Sequence, residues 1–133
     1  MDAPLAGTPQ PLRVVIVDSD DLVRESLSGL LGIGRRVRVV GDAGEAAVAL
    51  RLIGTTQPDV IVVDPRLPDV ASGFEFIGRA RRLAPGAAIL VIGSAEVVDQ
   101  AALRYGIDGC VRKTFRPDDL TAAIVAAGRR AAG

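Results

Sequence analysis

From Leu12 onward the hydrophobic and polar positions follow two alternating patterns. Short runs of β-branched and other apolar residues, typical of strands buried on both faces, are each followed by a segment with apolar residues at helical spacing. The predicted strand and helix pairs are residues 13–17 with 21–31, 37–40 with 45–53, 60–63 with 74–83, 88–92 with 96–105, and 109–112 with 117–127. Five such units in 133 residues predict an open α/β fold with a doubly wound parallel sheet, since an eight-stranded barrel needs about 250 residues.

The segments that flank this pattern set the predicted domain limits. Residues 1–11, MDAPLAGTPQP, contain three prolines and no periodicity, which predicts a flexible tail. We expect one domain over residues 12–128 and a short C-terminal tail or linker over residues 129–133. Gly106 stands where a left-handed cap would end the fourth helix, and Pro117 is placed to open the fifth.

Composition narrows the chemistry that the domain can carry. The 16 basic and 16 acidic residues cancel, so no net charge favours nucleic acid or an anionic membrane as a partner. The chain has no histidine, which excludes Ser-His-Asp and Cys-His catalysis, and its single cysteine, Cys110, fits a reducing, cytoplasmic compartment. It also lacks an apolar run long enough to span a membrane and a Gly-rich phosphate loop. With these classes excluded, the chemistry of the domain is expected to depend on its carboxylate side chains.

Polar residues follow the predicted strands directly, at the sheet edge where doubly wound folds gather their functional groups. They are Asp18, Ser19, Asp20 and Asp21 after the first strand, Asp64 after the third, Gly93 and Ser94 after the fourth, and Lys113 after the fifth. Taken singly, the aspartates and the serine are also common helix caps or turn residues. Lys113 is the only lysine of the chain, and its compact charge suits contact with one phosphoryl or carboxylate oxygen.

Together these groups are suited to binding a metal ion and a phosphoryl group. Mg²⁺ prefers oxygen ligands and is typically held by one or two carboxylates plus phosphate. An aspartate beside the metal can attack phosphorus, while the metal and an ammonium group neutralise the transferred oxygens. The sequence therefore predicts an aspartyl-phosphate site.

The spacing of these motifs resembles that of the receiver domains of bacterial two-component response regulators, from Leu12 to about Ala127. The matching motifs are VIVD at residues 15–18, VVDPRLP at 62–68, GSAE at 93–96 and DGCVRK at 108–113. The resemblance implies a flavodoxin-like, five-stranded parallel sheet in the order 2-1-3-4-5, with five helices on its two faces.

The resemblance also implies roles for individual residues. Asp64 would accept a phosphoryl group from a sensor histidine kinase, Ser94 would be the switch hydroxyl, and Lys113 would contact the phosphate. Mg²⁺ would be held by Asp18, Asp64 and the backbone carbonyl of Arg66. At most, such a domain catalyses its own phosphorylation and dephosphorylation.

Four features depart from the family pattern. Ser19 replaces the second adjacent acid, which normally gives the metal a direct carboxylate, so Mg²⁺ binding is expected to be weakened unless Asp20 compensates through a water. Cys110 replaces the aromatic residue that usually moves on activation, which damps the expected switch. The segment between Ser94 and Gly106 is shorter than usual, and residues 68–73 hold an insertion.

Two alternatives remain open at the sequence level. A haloacid-dehalogenase-like phosphatase would use Asp18 as nucleophile and Asp20 as general acid, but Leu22 replaces the Thr or Val of that motif and the chain leaves little room for a cap domain. A pseudo-receiver would act as an interaction module without phosphorylation. Ser19 and Cys110 favour it, whereas the residues Asp64, Ser94 and Lys113 oppose it.

Sequence features also suggest how the signal would leave the domain. Lys113-Thr114, with GDAG at residues 41–44, resembles regulators that carry a C-terminal helix-turn-helix domain, so contact with DNA would require an output domain outside this chain. The predicted output face comprises the fourth helix, fifth strand and fifth helix. Because the fifth helix is rich in alanine, we expect weak self-association through this face.

Overall fold

The computed structural model describes residues 10–104, 106–113 and 116–132, and shows strands and helices in strict alternation. The elements are β1 (Leu12–Val17), α1 (Asp21–Leu31), β2 (Val37–Ala43), α2 (Ala46–Thr56), β3 (Val60–Val63), α3 (Val70–Leu83), β4 (Ala88–Gly93), α4 (Ala95–Ala102), β5 (Gly109–Arg112) and α5 (Pro117–Ala132). All neighbouring strands are parallel, in the order β2-β1-β3-β4-β5. The expected fold and strand order are confirmed.

The sheet separates two apolar cores, because alternate side chains of a strand point to opposite faces. On β1, Val15 and Val17 pack with α2, α3 and α4, whereas Val14 and Ile16 pack with α1 and α5. Every residue of β3 and β4 is buried. This burial on both faces explains why the strand sequences are uniformly apolar.

β2 continues past its predicted end at Val40 to Ala43. Its pairing with β1 shifts register between Val14 and Val15, as at a β-bulge. The extension places the Ala43 carbonyl oxygen 3.1 Å from the backbone nitrogen of Asp18, which donates a hydrogen bond to it. The added length of β2 thus fixes the start of the loop that follows β1.

α3 begins at Val70, earlier than predicted, because the Asp69 side chain caps it by accepting a hydrogen bond of 2.8 Å from the backbone N–H of Ser72. The extra turn brings Gly73 against the loop after β3. A Cβ built at Gly73 would lie 1.5 Å from the carbonyl oxygen of Pro65, so only glycine allows this approach. The Leu67–Pro68 peptide bond in the same loop is cis.

The last two helices also differ from prediction. α4 ends at Ala102, before the predicted end at Tyr105, a residue outside the described part of the chain. Gly106 adopts the left-handed conformation with φ of +83°, but it lies in the loop before β5 and does not cap α4. α5 continues beyond residue 127 to Ala132. Within the described ranges, no helix combines the length and apolar character needed to cross a membrane.

Candidate functional site

The carboxyl ends of three strands bring Asp18, Asp64 and Lys113 together. Asp18 follows β1 and Asp64 follows the adjacent β3, while Lys113 follows β5 and its side chain reaches past the end of β4. The ammonium nitrogen of Lys113 lies 2.9 Å from Asp18 Oδ2 and 2.6 Å from Asp64 Oδ2. The backbone N–H of Lys113 donates to the Gly93 carbonyl oxygen at 2.8 Å, which holds the lysine beside the end of β4. The three side chains predicted to form the site are therefore in contact.

Burial makes this contact necessary. Asp18 is 1% and Asp64 is 6% exposed, and they are the only charged residues that are buried within the described parts of the chain. A buried carboxylate must be paired, because removal from water disfavours its charge. One ammonium group shared by two carboxylates leaves this cluster with a formal negative charge, which attracts a further cation.

The electrostatics of the cluster keep Lys113 charged. Burial is the largest single influence on its pKa and lowers it, but the hydrogen bonds to Asp64 and Asp18, followed by the charges of the two carboxylates, outweigh that effect. The pKa of Lys113 is therefore raised above its ordinary value. The side chain is present as an ammonium ion at neutral pH.

The loop after β1 is braced by Arg24 of α1, a residue that the sequence analysis missed. Its Nη1 donates to the Asp18 carbonyl oxygen at 2.7 Å and its Nε donates to Asp42 Oδ1 at 3.0 Å. A Cβ at Gly44 would lie 2.5 Å from the same Nη1, so the guanidinium occupies the space beside this glycine. Arg24 thus positions the backbone of Asp18 without touching its carboxylate. The signal in the sequence was a single arginine in the first helix, too common a feature to single out.

Asp20 and Ser19 lie at the exposed rim of the cluster. Asp20 Oδ1 accepts hydrogen bonds from the backbone N–H groups of Leu22 at 2.9 Å and Val23 at 3.3 Å, so Asp20 is the N-cap of α1. The Asp20 backbone N–H donates to Asp18 Oδ1 at 2.9 Å. No set of three His, Cys, Asp or Glu side chains suited to a metal occurs in the described part of the chain.

The loop after β3 connects Asp64 to Ser94. The backbone N–H of Arg66 donates to Asp64 Oδ1 at 3.0 Å, and the guanidinium Nη2 of Arg66 donates to Ser94 Oγ at 3.1 Å. Ser94 Oγ also accepts a longer hydrogen bond, 3.4 Å, from the backbone N–H of Val97. Ser94 is therefore both the N-cap of α4 and a neighbour of the site through Arg66. The family resemblance placed only the backbone carbonyl of Arg66 at the site, and no sequence pattern indicated a role for its side chain.

Cys110 lies on β5, paired with Val91 of β4, and is half-buried at the margin of the core formed with α2, α3 and α4. Burial raises the pKa of its thiol above the ordinary value. The small, neutral side chain occupies the position at which the family resemblance implied an aromatic residue.

Comparison with known proteins identifies the family. The family model of the response regulator receiver domain matches residues 14–125, most of the chain. The chain belongs to the response regulator receiver domain family. Membership in this family overturns the phosphatase alternative, in which Asp20 would be the general acid. The structure agrees, because Asp20 Oδ1 is bonded to backbone amides of α1 as a helix cap.

Individual relatives match nearly the whole chain. The DNA-binding transcriptional activator DevR/DosR of Mycobacterium tuberculosis is 35% identical over 123 residues, which cover 89% of this chain and 56% of the relative. A protein-glutamate methylesterase/protein-glutamine glutaminase of Agrobacterium fabrum is 34% identical over 125 residues, or 88% of this chain and 35% of the relative. The crystal structure of a LuxR-family two-component response regulator from Aurantimonas matches with a TM-score of 0.77 at 32% identity, covering 91% of this chain and 87% of that one. The chain thus spans about half, or less, of the length of these curated relatives.

Proposed function

We propose that this receiver domain accepts a phosphoryl group on Asp64 from a phosphohistidine of a sensor kinase and passes the signal to an output domain or protein partner. The observation that carries the proposal is the position of Asp64, whose buried carboxylate lies 2.6 Å from the ammonium group of Lys113 at the carboxyl edge of the sheet. Family membership supports it, since two-component signalling is the setting in which receiver domains act.

The transfer can be written on the atoms of the site. A carboxylate oxygen of Asp64 forms a new bond to phosphorus, the bond between phosphorus and the kinase imidazole nitrogen breaks, and the electron pair of that bond returns to the imidazole. The product is an acyl phosphate on Asp64. Lys113 remains charged throughout and offers its N–H donors to the phosphoryl oxygens, while the backbone N–H of Arg66 keeps the carboxylate oriented.

The donor set fits Mg²⁺ in type. Asp18 Oδ2 is buried, and its close polar partner among the described residues is the Lys113 ammonium at 2.9 Å, which it shares with Asp64. Asp18, Asp64 and the backbone carbonyl of Arg66 would hold the ion, with Ser19 as a neutral neighbour and Asp20 acting through a water. Bound there, Mg²⁺ would neutralise charge on the phosphoryl oxygens. Ser19 in place of an acid makes the expected affinity lower.

The pseudo-receiver alternative has less support. A domain that acted only by docking would have no need to bury two carboxylates beside one lysine, an arrangement that costs desolvation energy. The contact of Asp18, Asp64 and Lys113 therefore favours a phosphorylated receiver. The relatives suggest two kinds of output domain. The transcriptional activator DevR/DosR suggests a domain that binds DNA, and the methylesterase/glutaminase suggests an enzymatic domain.

Phosphorylation can be tested with a small-molecule donor. The protein is incubated with acetyl phosphate and Mg²⁺, and intact mass spectrometry measures the added phosphoryl group. We expect one phosphoryl group on the parent and none on Asp64→Asn. The control is Asp99→Asn, which removes an exposed carboxylate of α4 and should leave labelling unchanged. Labelling of Asp64→Asn to the extent of the parent, or no labelling of the parent, would reject the proposal.

A further inference from the structure

The side chain of Arg66 occupies an unusual place at the site. Its backbone is fixed to Asp64 by the 3.0 Å hydrogen bond to Oδ1, and its guanidinium reaches across to Ser94 Oγ at 3.1 Å. Because the Arg66 backbone N–H is bonded to the Asp64 carboxylate and its guanidinium is bonded to the hydroxyl after β4, the side chain lies beside the space that a phosphoryl group on Asp64 would occupy. Because Arg66 is exposed, it can reorient at little cost.

The hydrogen bonds of Ser94 define what this pair can offer a ligand. A serine hydroxyl has two acceptor lone pairs and one donor proton. Both acceptor positions of Ser94 Oγ are used, by Arg66 Nη2 and by the Val97 backbone N–H. The hydroxyl is left with its proton to donate, and the guanidinium has further N–H groups. The pair therefore presents donors, and a positive charge, to any acceptor beside Asp64.

We propose that Arg66 is a phosphoryl-binding residue, and that Arg66 and Ser94 act as one donor unit opposite Lys113. This inference rests on the proposed phosphorylation of Asp64. It adds a role for the side chain of Arg66, to which no sequence motif assigned one. A phosphoryl group brings a charge of roughly −1.5 to −2 to the site. Lys113 already compensates two carboxylates, and Ser19 lowers the expected Mg²⁺ affinity, so the Arg66 guanidinium would add positive charge that the site otherwise lacks.

The contacts of the two Asp64 oxygens show that Lys113 and the pair of Arg66 and Ser94 lie on opposite sides of the carboxylate. Oδ2 contacts the Lys113 ammonium and Oδ1 accepts from the Arg66 backbone. A phosphoryl group attached to either oxygen then lies between a cation on the β5 side and a cation on the loop after β3. Arginine suits this position because its planar fork can hold a phosphoryl oxygen and Ser94 at the same time.

The test measures how initial phosphorylation rate depends on acetyl phosphate concentration. The variants are Arg66→Ala, Arg66→Lys and the control Arg79→Ala, which removes an exposed arginine from α3. A charge-assisted hydrogen bond corresponds to roughly a tenfold effect or more, so Arg66→Ala should raise the half-saturating concentration about tenfold. Arg66→Lys restores the charge but not the planar fork and should recover part of that loss, and Arg79→Ala should match the parent.

A second readout does not depend on turnover. Binding of beryllofluoride, a phosphoryl mimic, is measured by calorimetry and should weaken in Arg66→Ala by a factor similar to the kinetic one. In the double variant Arg66→Ala with Ser94→Ala, the combined loss should be smaller than the product of the single losses, because the two residues act together.

The outcomes separate this inference from the proposed function. If the parent is labelled on Asp64 but Arg66→Ala keeps the same half-saturating concentration and beryllofluoride affinity, the role of Arg66 is rejected and phosphorylation of Asp64 stands. If Arg66→Lys recovers nothing of either value, the effect of Arg66 comes from its planar fork and not from its charge, and the added positive charge is rejected as its contribution. If the parent is not labelled at all, the proposed function fails, and beryllofluoride affinity alone decides the role of Arg66.

Discussion

The loops after β1 and β3 are held by more buried contacts than are α4 and β5. The backbone N–H groups of Asp18 and Asp64 donate to strand carbonyls, as does that of Lys113, but only the two aspartate side chains are almost completely buried. By contrast, Ser94 is exposed, β5 is an edge strand with no fully buried residue, and α4 has only 8 residues. The half of the site that bears the carboxylates is thus rigidly built, whereas the half that bears the hydroxyl has the fewer contacts. Segments with few buried contacts are the ones that shift between states most readily, so a phosphorylation signal is expected to leave through α4 and β5.

The largest expected effect tests the rigid half directly. Gly73→Ala places a Cβ against the Pro65 carbonyl in the loop that presents Asp64, and should lower the free energy of unfolding by about 3 kcal/mol or more. Gly78→Ala is the matched control in the same helix, where nothing lies within 4 Å of the added Cβ, and should stabilise by about 0.5–1 kcal/mol. Urea unfolding of both variants measures the difference. Equal stabilities would mean that the loop after β3 is free to move.

The next effect concerns the cation that joins the two halves. Lys113→Met removes the charge that compensates Asp18 and Asp64 and should cost about 1–2 kcal/mol, less than for a fully buried pair because the lysine side chain is 34% exposed. The pKa of Lys113 is raised in the folded state. The charged lysine therefore contributes fully to the free energy of unfolding below its ordinary pKa of 10.5, and this contribution is lost as pH rises through the folded pKa. Parent and variant should therefore differ at neutral pH and converge above pH 10.5. Arg112→Met, one residue away and exposed, is the control; a loss as large as that of Lys113→Met would argue against the pairing.

A smaller effect is expected at the rim of the carboxylate half. Ser19→Asp adds a negative charge beside Asp18 and should tighten Mg²⁺ binding about tenfold, through Coulomb attraction in a partly solvated site. Ser26→Asp adds the same charge to an exposed position of α1 and should change the affinity little. Calorimetric titration with Mg²⁺ distinguishes them. Identical affinities for parent and Ser19→Asp would show that residue 19 does not face the metal.

The smallest effect is expected at α4, β5 and α5. On α5, Leu120, Ile124 and Ala127 are buried against the sheet, while Ala122 and Ala126 remain exposed and offer only a small apolar surface. Self-association through α4, β5 and α5 should therefore be weak, and its response to beryllofluoride should be small because Cys110 lacks the bulk of an aromatic side chain. Sedimentation over a concentration series measures both quantities. A strict monomer under all conditions would refute the association, and a large beryllofluoride response would refute the damped switch.

The sequence predicted the features that follow from strand topology. The bounds of α1, β3 and β5 agree with the structure, and the meeting of Asp18, Asp64 and Lys113 follows because the ends of parallel strands share one edge of the sheet. These features depend on the pattern of apolar residues, which can be recognised in short stretches of the sequence. The order of the strands came from the family resemblance and not from the pattern.

Features that depend on contacts between distant segments were not predictable in the same way. The extension of β2 requires its bulged pairing with β1, and the early start of α3 requires the cap at Asp69 together with close packing at Gly73. The side-chain positions of Arg24 and Arg66 depend on partners from other elements, and no periodic pattern records which of many arginines will meet a particular oxygen.

The packing of Arg24 beside Gly44 also bears on how this family can diverge. Gly44 has no chemistry of its own, yet any side chain there would displace the guanidinium that holds the Asp18 carbonyl and binds Asp42. The tolerance of position 44, which lies between β2 and α2, is therefore set by Arg24 of α1. Among related receivers, we expect glycine to be lost at this position mainly in lineages that have already replaced the arginine, so the two positions should covary although neither takes part in phosphoryl transfer.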